Sequence, residues 1–460
     1  MKNWKICIIV CFVFIPIFIF GQKDKSQELV ALLNNGDFFK SRSLYLQICD
    51  TISPDIDLYY KFRMAQFLNK KDSAAIYLER IFTKYPNLFE KETINIYGIL
   101  FDLYIDLKNI NKGIYTYKRI EKYLKENPHH IDEKELPQWH KDTEYRLHQL
   151  KHSIQQPPIS IKRKKKNDSV KTLGDLKPLF TAKYNNIPLK TFFDTGAQSY
   201  CVMNSIIARQ LGIKCDTNKI KQEMINEKIF ANKAIVDSIE IGNIILYNIP
   251  IVIYEQRLSV VFSDSVENYS KEVFVEDSIY SCLTTPITIG LPLMQLIGKF
   301  QVDNENKNIT FPVSDNNVSA AKESNIYTYK KNLYMRLKVN ERDFTGYLDT
   351  GADVFIDIDT TFYKKYQNSI QVDTITAKPL YSFISFHENH IDIPYIIPYK
   401  PIIKFEDKPV RVLKKRAVKI YSLSVWDVDV FDGLIGYLFF KRLGKRILLD
   451  FDNMRLEVEE

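Results

Sequence analysis

The chain has 460 residues, room for two or three domains of ordinary size. Hydrophobic residues make up 45% and aromatics 13%, against 15 glycines, which excludes a disordered or low-complexity chain and describes one able to bury full cores. The net charge of +8 is partly concentrated in one run, Lys162-Arg163-Lys164-Lys165-Lys166; no RNA-binding aromatic pattern or zinc-finger spacing accompanies it, so it reads as a solvated linker and no nucleic-acid partner is expected.

Residues 1–22 have the pattern of an export signal. Lys2 and Lys5 precede an uncharged, mostly apolar stretch from Ile6 to Phe20, which ends at Gly21-Gln22. That stretch is shorter than the roughly 20 residues of a membrane span, so the expected location is periplasmic or secreted. Retention of the segment as an N-terminal anchor is the alternative, and would be the one membrane contact expected. Cleavage near Gly21 would leave no N-terminal cysteine for lipidation. Cys7 and Cys11 fall inside the signal. The spacing of Cys49, Cys201, Cys215 and Cys282 fits neither a zinc site nor a disulfide scaffold. Isolated thiols are expected, with a Cys201–Cys215 bridge the alternative in an oxidising compartment.

Residues 23–152 form an all-helical domain by periodicity. Apolar positions recur three and four apart at Ala74, Leu78 and Ile81, and again at Ile96, Leu100, Leu103 and Leu107. Pro54, Pro86 and Pro128 fall between such runs. Polar turns precede helices at Asn35-Gly36-Asp37, Asn69-Lys70-Lys71-Asp72 and Lys108-Asn109-Ile110-Asn111. A helix pair every ~34 residues is the tetratricopeptide period, and Ala74, Leu78, Ile81 and Pro86 resemble the small, bulky and terminating positions of that repeat. An ordinary helical bundle fits the pattern equally well. A protein partner for this domain is a possible role. Residues 153–174, with Gln155-Gln156-Pro157-Pro158 and the basic run, read as a linker.

From 175 onward the periodicity becomes alternating, and Val, Ile, Tyr, Phe and Thr dominate, as in β-structure. This region repeats itself. Asp194-Thr195-Gly196-Ala197 and Asp349-Thr350-Gly351-Ala352 are identical and lie 155 residues apart. At the same offset Phe180, Ala182 and Tyr184 match Met335, Leu337 and Val339, Asn185 matches Asn340 at an expected hairpin tip, and Phe193 matches Leu348. A second pair follows: Ile287-Thr288-Ile289-Gly290, leading to Gly298 and Phe300-Gln301-Val302-Asp303, and Gly433-Leu434-Ile435-Gly436, leading to Gly444 and Leu448-Leu449-Asp450. The halves divide as 175–318 and 319–460.

An Asp-Thr-Gly loop at the end of an apolar strand carries a carboxylate into the interior. Its glycine permits a tight turn and a close approach of backbone N–H groups, and its threonine can hydrogen-bond to a twin loop. Two such loops face to face would hold two carboxylates within a few Å. Two carboxylates that close cannot both be ionised, and the pair then shares one proton. One member can take a proton from a bound water while the other hydrogen-bonds a substrate carbonyl. Such chemistry needs no metal or cofactor. One Asp-Thr-Gly-Ala has a chance of about 10⁻⁵ per position, so a matched pair in matched surroundings is not accidental.

On these motifs residues 175–460 resemble aspartic peptidases of the retropepsin and pepsin type. The alanine after glycine is more like retropepsins. The chain looks like two retropepsin-type lobes fused in tandem. The resemblance implies an all-β, bilobal fold of two closed lobes behind an all-α domain, a cleft between the lobes, and a polypeptide substrate. It further implies Asp194 and Asp349 as the catalytic dyad, Thr195 and Thr350 as interlocking threonines, Gly196 and Gly351 as loop glycines, and Ile289-Gly290 and Ile435-Gly436 as bracing segments. The halves are unequal, since Gln198 follows the first motif and Asp353 the second, and Thr288 interrupts the first bracing segment. By position alone the flaps fall near Asn226-Glu227 and Phe386-His387-Glu388-Asn389. His387 and His390 read as exposed loop residues and not as metal ligands. Gly-x-Ser-x-Gly, His-Glu-x-x-His and Walker patterns are absent. The reading is an exported aspartic endopeptidase. Its alternative is a non-catalytic peptide-binding or scaffold protein built on a degenerate peptidase fold.

Overall fold

The computed structural model describes residues 22–131, 134–164, 169–173, 179–214, 220–224, 227–254, 286–312, 323–373, 380–384, 390–412, 417–426 and 431–459. The export-signal stretch 1–21 lies outside them. The chain divides into two compact units, Met1–Pro157 and Pro158–Glu460. Among the described residues no helix is long and apolar enough to cross a membrane.

The first unit holds helices α1 (Gln22–Asn34), α2 (Phe38–Ile48), α3 (Pro54–Phe67), α4 (Lys71–Lys84), α5 (Thr93–Asp106), α6 (Ile110–Glu126) and α7 (Leu136–Gln155). They pack as pairs, α1 on α2, α3 on α4 and α5 on α6, with α7 against α5 and α6. The polar turns are what make the pairs. Gly36, Asn69 and Lys108 each take positive φ just past a helix. In each case the next N–H reaches back five residues: Asp37 to Leu32 O (2.9 Å), Lys70 to Ala65 O (2.8 Å) and Asn109 to Tyr104 O (2.9 Å). This is one left-handed stop used three times. Asp37 and Asn109 then cap the following helices, accepting from the N–H groups of Lys40 and Lys112. Ala74, Leu78 and Ile81 are fully buried with Phe62, Leu100 and Tyr104, while Ile120, Leu124 and Leu150 build a second core with Phe101.

The second unit begins with strands β1 (Ser160–Arg163) and β2 (Ser169–Lys171). These correct the expectation of a linker over 153–174. β1 pairs antiparallel with Ile244–Tyr247, and β2 with Asn308–Thr310. The basic side chains do not preclude strands, because exposure alternates along β1. Arg163 also spends its guanidinium on the carbonyls of Phe311 (3.1 Å) and Ile297 (3.2 Å), and Lys164 pairs with Glu240 at 3.0 Å. Lys165 and Lys166 lie outside the described residues.

Lobe 1 continues with β3 (Phe180–Tyr184), β4 (Ile187–Asp194), β5 (Cys201–Asn204), α8 (Ser205–Gln210), β6 (Ile220–Met224), β7 (Glu227–Ile241), β8 (Ile244–Tyr254), β9 (Ile287–Gly290), α9 (Leu291–Ile297), β10 (Lys299–Asp303) and β11 (Asn308–Thr310). The sheet runs β1-β8-β5-β9-β4-β3-β7-β6, and a further β7–β8 pairing closes six of its strands into a barrel. Lobe 2 contains β12 (Ile326–Tyr329), β13 (Asn332–Val339), β14 (Arg342–Asp349), β15 (Ile356–Asp359), α10 (Thr360–Tyr366), β16 (Leu380–Ile384), β17 (His390–Pro394), β18 (Ile403–Phe405), β19 (Lys408–Val410), β20 (Val418–Tyr421), β21 (Gly433–Gly436), α11 (Tyr437–Phe440), β22 (Arg446–Asp450) and β23 (Arg455–Glu459). Its described strands follow an open path, β19-β18-β13-β14-β21-β15-β20, with β12 on β13. The difference from lobe 1 lies in the long β7, which bridges β3 and β8; the hairpin in that place in lobe 2, β16–β17, stands as its own two-stranded sheet.

A third sheet, β2-β11-β10-β22-β23, joins the lobes through antiparallel β10 and β22. Phe193 stacks on Phe300 of that sheet at 4.7 Å. Its β23 edge is covered by Asn325, whose side-chain amide mimics a strand: Nδ2 donates to Leu456 O (2.8 Å) and Oδ1 accepts from Leu456 N (2.7 Å). The expected hairpin tips are present. Asn185-Asn186 and Asn340-Glu341 have both residues at positive φ, the two-residue turn that suits the strand twist.

Candidate active site

In each lobe one strand ends at the aspartate, and a second strand lies parallel beside it. β4 pairs with β9 so that Asp194 stands opposite Gly290. β14 pairs with β21 so that Asp349 stands opposite Gly436. The glycines of the bracing segments are required by the closeness of this fit. A Cβ on Gly290 would lie 2.0 Å from Ser199 O and 2.5 Å from Ala197 O, and one on Gly436 would lie 2.3 Å from Val354 O. The residue after each glycine anchors the loop: Leu291 N–H donates to Ala197 O and Tyr437 N–H to Ala352 O, both at 2.9 Å. Thr288 does not disturb this, since its backbone keeps the strand pairing with Phe192.

The loops interlock through their threonines, both buried. Thr195 N–H donates to Thr350 Oγ1 (3.0 Å), and Thr350 N–H donates to Thr195 Oγ1 (2.9 Å). Each hydroxyl in turn donates a hydrogen bond across the seam, Thr195 to Leu348 O (2.6 Å) and Thr350 to Phe193 O (2.9 Å). Four hydrogen bonds thus tie the first loop to the second with two-fold symmetry.

The carboxylates follow the same symmetry. Gly196 N–H donates to Asp194 Oδ1 and Gly351 N–H to Asp349 Oδ1, each at 2.8 Å. Each carboxylate also lies against the glycine of the opposite loop. A Cβ on Gly196 would sit 2.6 Å from Asp349 Oδ1, and one on Gly351 would sit 2.4 Å from Asp194 Oδ2. Any side chain at either glycine would occupy the space where the carboxylates converge. Both aspartates are half-buried, at the partly open side of the seam. The six residues singled out from the motifs, Asp194, Thr195, Gly196, Asp349, Thr350 and Gly351, therefore form one constellation. An arrangement of two half-buried carboxylates around a small polar space can hold and polarise a single water.

Two neighbours were given no role from the sequence, where Gln198 was noted only as an inequality between the halves and Tyr347 was not noted at all. Gln198 Nε2 donates to Asn332 Oδ1 of the other lobe at 2.8 Å. Tyr347, buried on β14, has its phenol pushed well above its ordinary value by burial and then by the charges of Asp349 and Asp194, in that order. Comparison of the halves one residue further upstream would have exposed it, since Tyr347 aligns with Phe192 at the offset of the repeat.

Of the expected flaps, Asn226 and residues 386–389 lie outside the described residues. Their flanks are antiparallel hairpins with Met224 opposite Glu227 and Ile384 opposite His390. His387 lies outside the described residues. Among those described, no group of three or more His, Cys, Asp or Glu is placed to hold a metal ion. Cys201 is a free, buried thiol that burial pushes up to about 12; Cys215 and Cys282 lie outside the described residues. A further carboxylate, Asp357, is buried in lobe 2. Burial pushes it up to about 6, against the opposing pull of Lys419 and a 2.7 Å hydrogen bond from the Tyr421 hydroxyl. Asp357 pairs across the strands with Lys419, where lobe 1 pairs Val202 with Val252.

Residues 180–262 match the model of a family described as gag-polyprotein putative aspartyl protease. This stretch contains the first Asp-Thr-Gly-Ala loop. Among solved structures, the chain is similar to a retropepsin-like aspartic protease from Rickettsia conorii, at 17% identity, covering 33% of this chain and 91% of that one, with a TM-score of 0.21. Comparison with curated proteins gives no match. The resemblance to retropepsin-like aspartic peptidases read from the motifs is thus supported by the family match, which points to peptidase activity.

Proposed function

We propose that the chain is an aspartic endopeptidase in which Asp194 and Asp349 share one proton and activate one water between them. The interlocked loops carry this reading: two identical Asp-Thr-Gly turns, held by four reciprocal threonine hydrogen bonds, bring each carboxylate onto the other's glycine. The ionised carboxylate takes a proton from the water as it attacks the peptide carbonyl, and the protonated one hydrogen-bonds the carbonyl oxygen. The resulting tetrahedral diol collapses when a carboxyl proton passes to the leaving nitrogen. The substrate is a polypeptide. Lys2, Lys5 and the apolar stretch 6–20 support export to the periplasm or medium.

The test is cleavage of a peptide library from pH 3 to 8 by the full chain and by Asp194→Asn and Asp349→Asn. Cleavage that disappears in both variants supports the reading. Wild-type rates in either one defeat it.

A further inference from the structure

The dyad is nearly two-fold symmetric, but its surroundings are not. Two residues before each aspartate, on the same strand and therefore on the same face, stand Phe192 in lobe 1 and Tyr347 in lobe 2. Each is paired across to the bracing strand, Phe192 with Thr288 and Tyr347 with Leu434. Tyr347 is 5% exposed, and its ring lies 5.9 Å from that of Tyr334. Its hydroxyl has no hydrogen-bond partner among the described residues. The ionisable groups around it are Asp349 on its own strand, Asp194 from the other lobe and Tyr334 on β13; Leu434 presents an apolar side chain from β21. Burial, and after it the charges of Asp349 and Asp194, keep the phenol protonated, so it is a donor.

Resting on the dyad reading above, we propose that Tyr347 is a positioning residue that breaks the symmetry of the pair: its O–H donates into the dyad on the Asp349 side through the bound water, and holds Asp349 as the ionised member and Asp194 as the protonated one. Lobe 1 offers no counterpart, because Phe192 has no donor. A hydrogen bond to the ionised form favours that form, so the donor lowers the pH at which the dyad loses its first proton.

The experiment is the pH profile of kcat/KM for peptide cleavage by the full chain, its Tyr347→Phe and Phe192→Tyr variants, and the Phe192→Tyr/Tyr347→Phe swap. Removing the donor should move the acid limb upward by about 0.5–1 pH unit, the size of one net hydrogen bond, with the plateau kept within about threefold. The swap should bring the limb back toward its original position, and Phe192→Tyr alone should move it downward. Thermal unfolding of each variant identifies any loss of fold, and Phe192→Tyr tests the same donor chemistry with Tyr347 left in place. A uniform loss of rate with no movement of the limb in any variant would overturn the inference, since a packing role predicts that. Asp194→Asn and Asp349→Asn separate the two levels. If they are inactive and the limb does not move, Tyr347 alone is misassigned; if either is active, the dyad itself is.

Discussion

Thr195→Val tests what holds the seam together. The substitution keeps shape and removes one hydroxyl. That hydroxyl accepts from Thr350 N–H at 2.9 Å and donates to Leu348 O at 2.6 Å, and Thr195 and Thr350 are both buried. Leaving a buried polar group unpaired costs about 1–3 kcal/mol, so the two together should cost about 2–6 kcal/mol. For a unit the size of Pro158–Glu460 that is a fall of about 3–9 °C in its unfolding temperature. Calorimetry of the full chain provides the assay, with the helical unit's transition as an internal reference. Thr350→Val should behave alike, through its bonds to Thr195 N–H and Phe193 O. Because the four bonds form one network, the double variant should lose less than the sum of the singles. A β-unit transition that moves by under 1 °C, or strict additivity, would refute the argument that the threonines interlock the loops.

Three further outcomes are expected. Gly351→Ala places a methyl group 2.4 Å from Asp194 Oδ2, so kcat should fall at least about 100-fold while the chain stays folded; an unchanged kcat would contradict the packing of carboxylate on glycine. Asp357 is raised to about 6 in the folded protein, so the folded state binds the proton more tightly than the unfolded chain does. The stability this contributes is fully present below about 3.9 and is lost as the pH rises through 6, a change of about 2 kcal/mol between pH 4.5 and 7.5. Asp357→Asn should abolish that slope, and denaturant unfolding of both proteins at the two pH values would show a constant difference if the assignment is wrong. Finally, protein starting at Pro158 should fold without the helical unit, whereas protein starting at residue 175 lacks β1 and β2 and exposes the edges of two sheets. Equal solubility and equal melting of the two would show β1 and β2 to be dispensable.

The constellation of the site was legible because it is written in consecutive residues. Asp-Thr-Gly-Ala specifies a turn locally, and its recurrence at a fixed offset, followed each time by an apolar-Gly segment, carries the two-fold relation. The helical stops at Gly36, Asn69 and Lys108 were visible for the same reason. What was not legible depends on partners far off in the chain. β1 and β2 are three or four residues long, too short to show alternation, and their mates lie at 244–247 and 308–310. Ile356-Asp357-Ile358-Asp359 reads as a strand with an exposed acidic face, yet all four residues are buried. Asp357 is met by Tyr421 and Lys419, and Asp359 caps α10 through Thr361 N–H and also accepts from Leu423 N–H. The bond from Gln198 to Asn332 likewise exists only because the lobes face each other.

The most direct measurement of the central claim is a kinetic cycle on one cleaved peptide, with kcat determined for the full chain, Asp194→Asn, Asp349→Asn and the double variant. Two carboxylates acting as one unit predict that each single substitution costs about 10³-fold or more and that the double variant is scarcely worse than either. Losses that multiply in the double variant, or one single variant that keeps its rate, would mean that the two aspartates do not work on the same water.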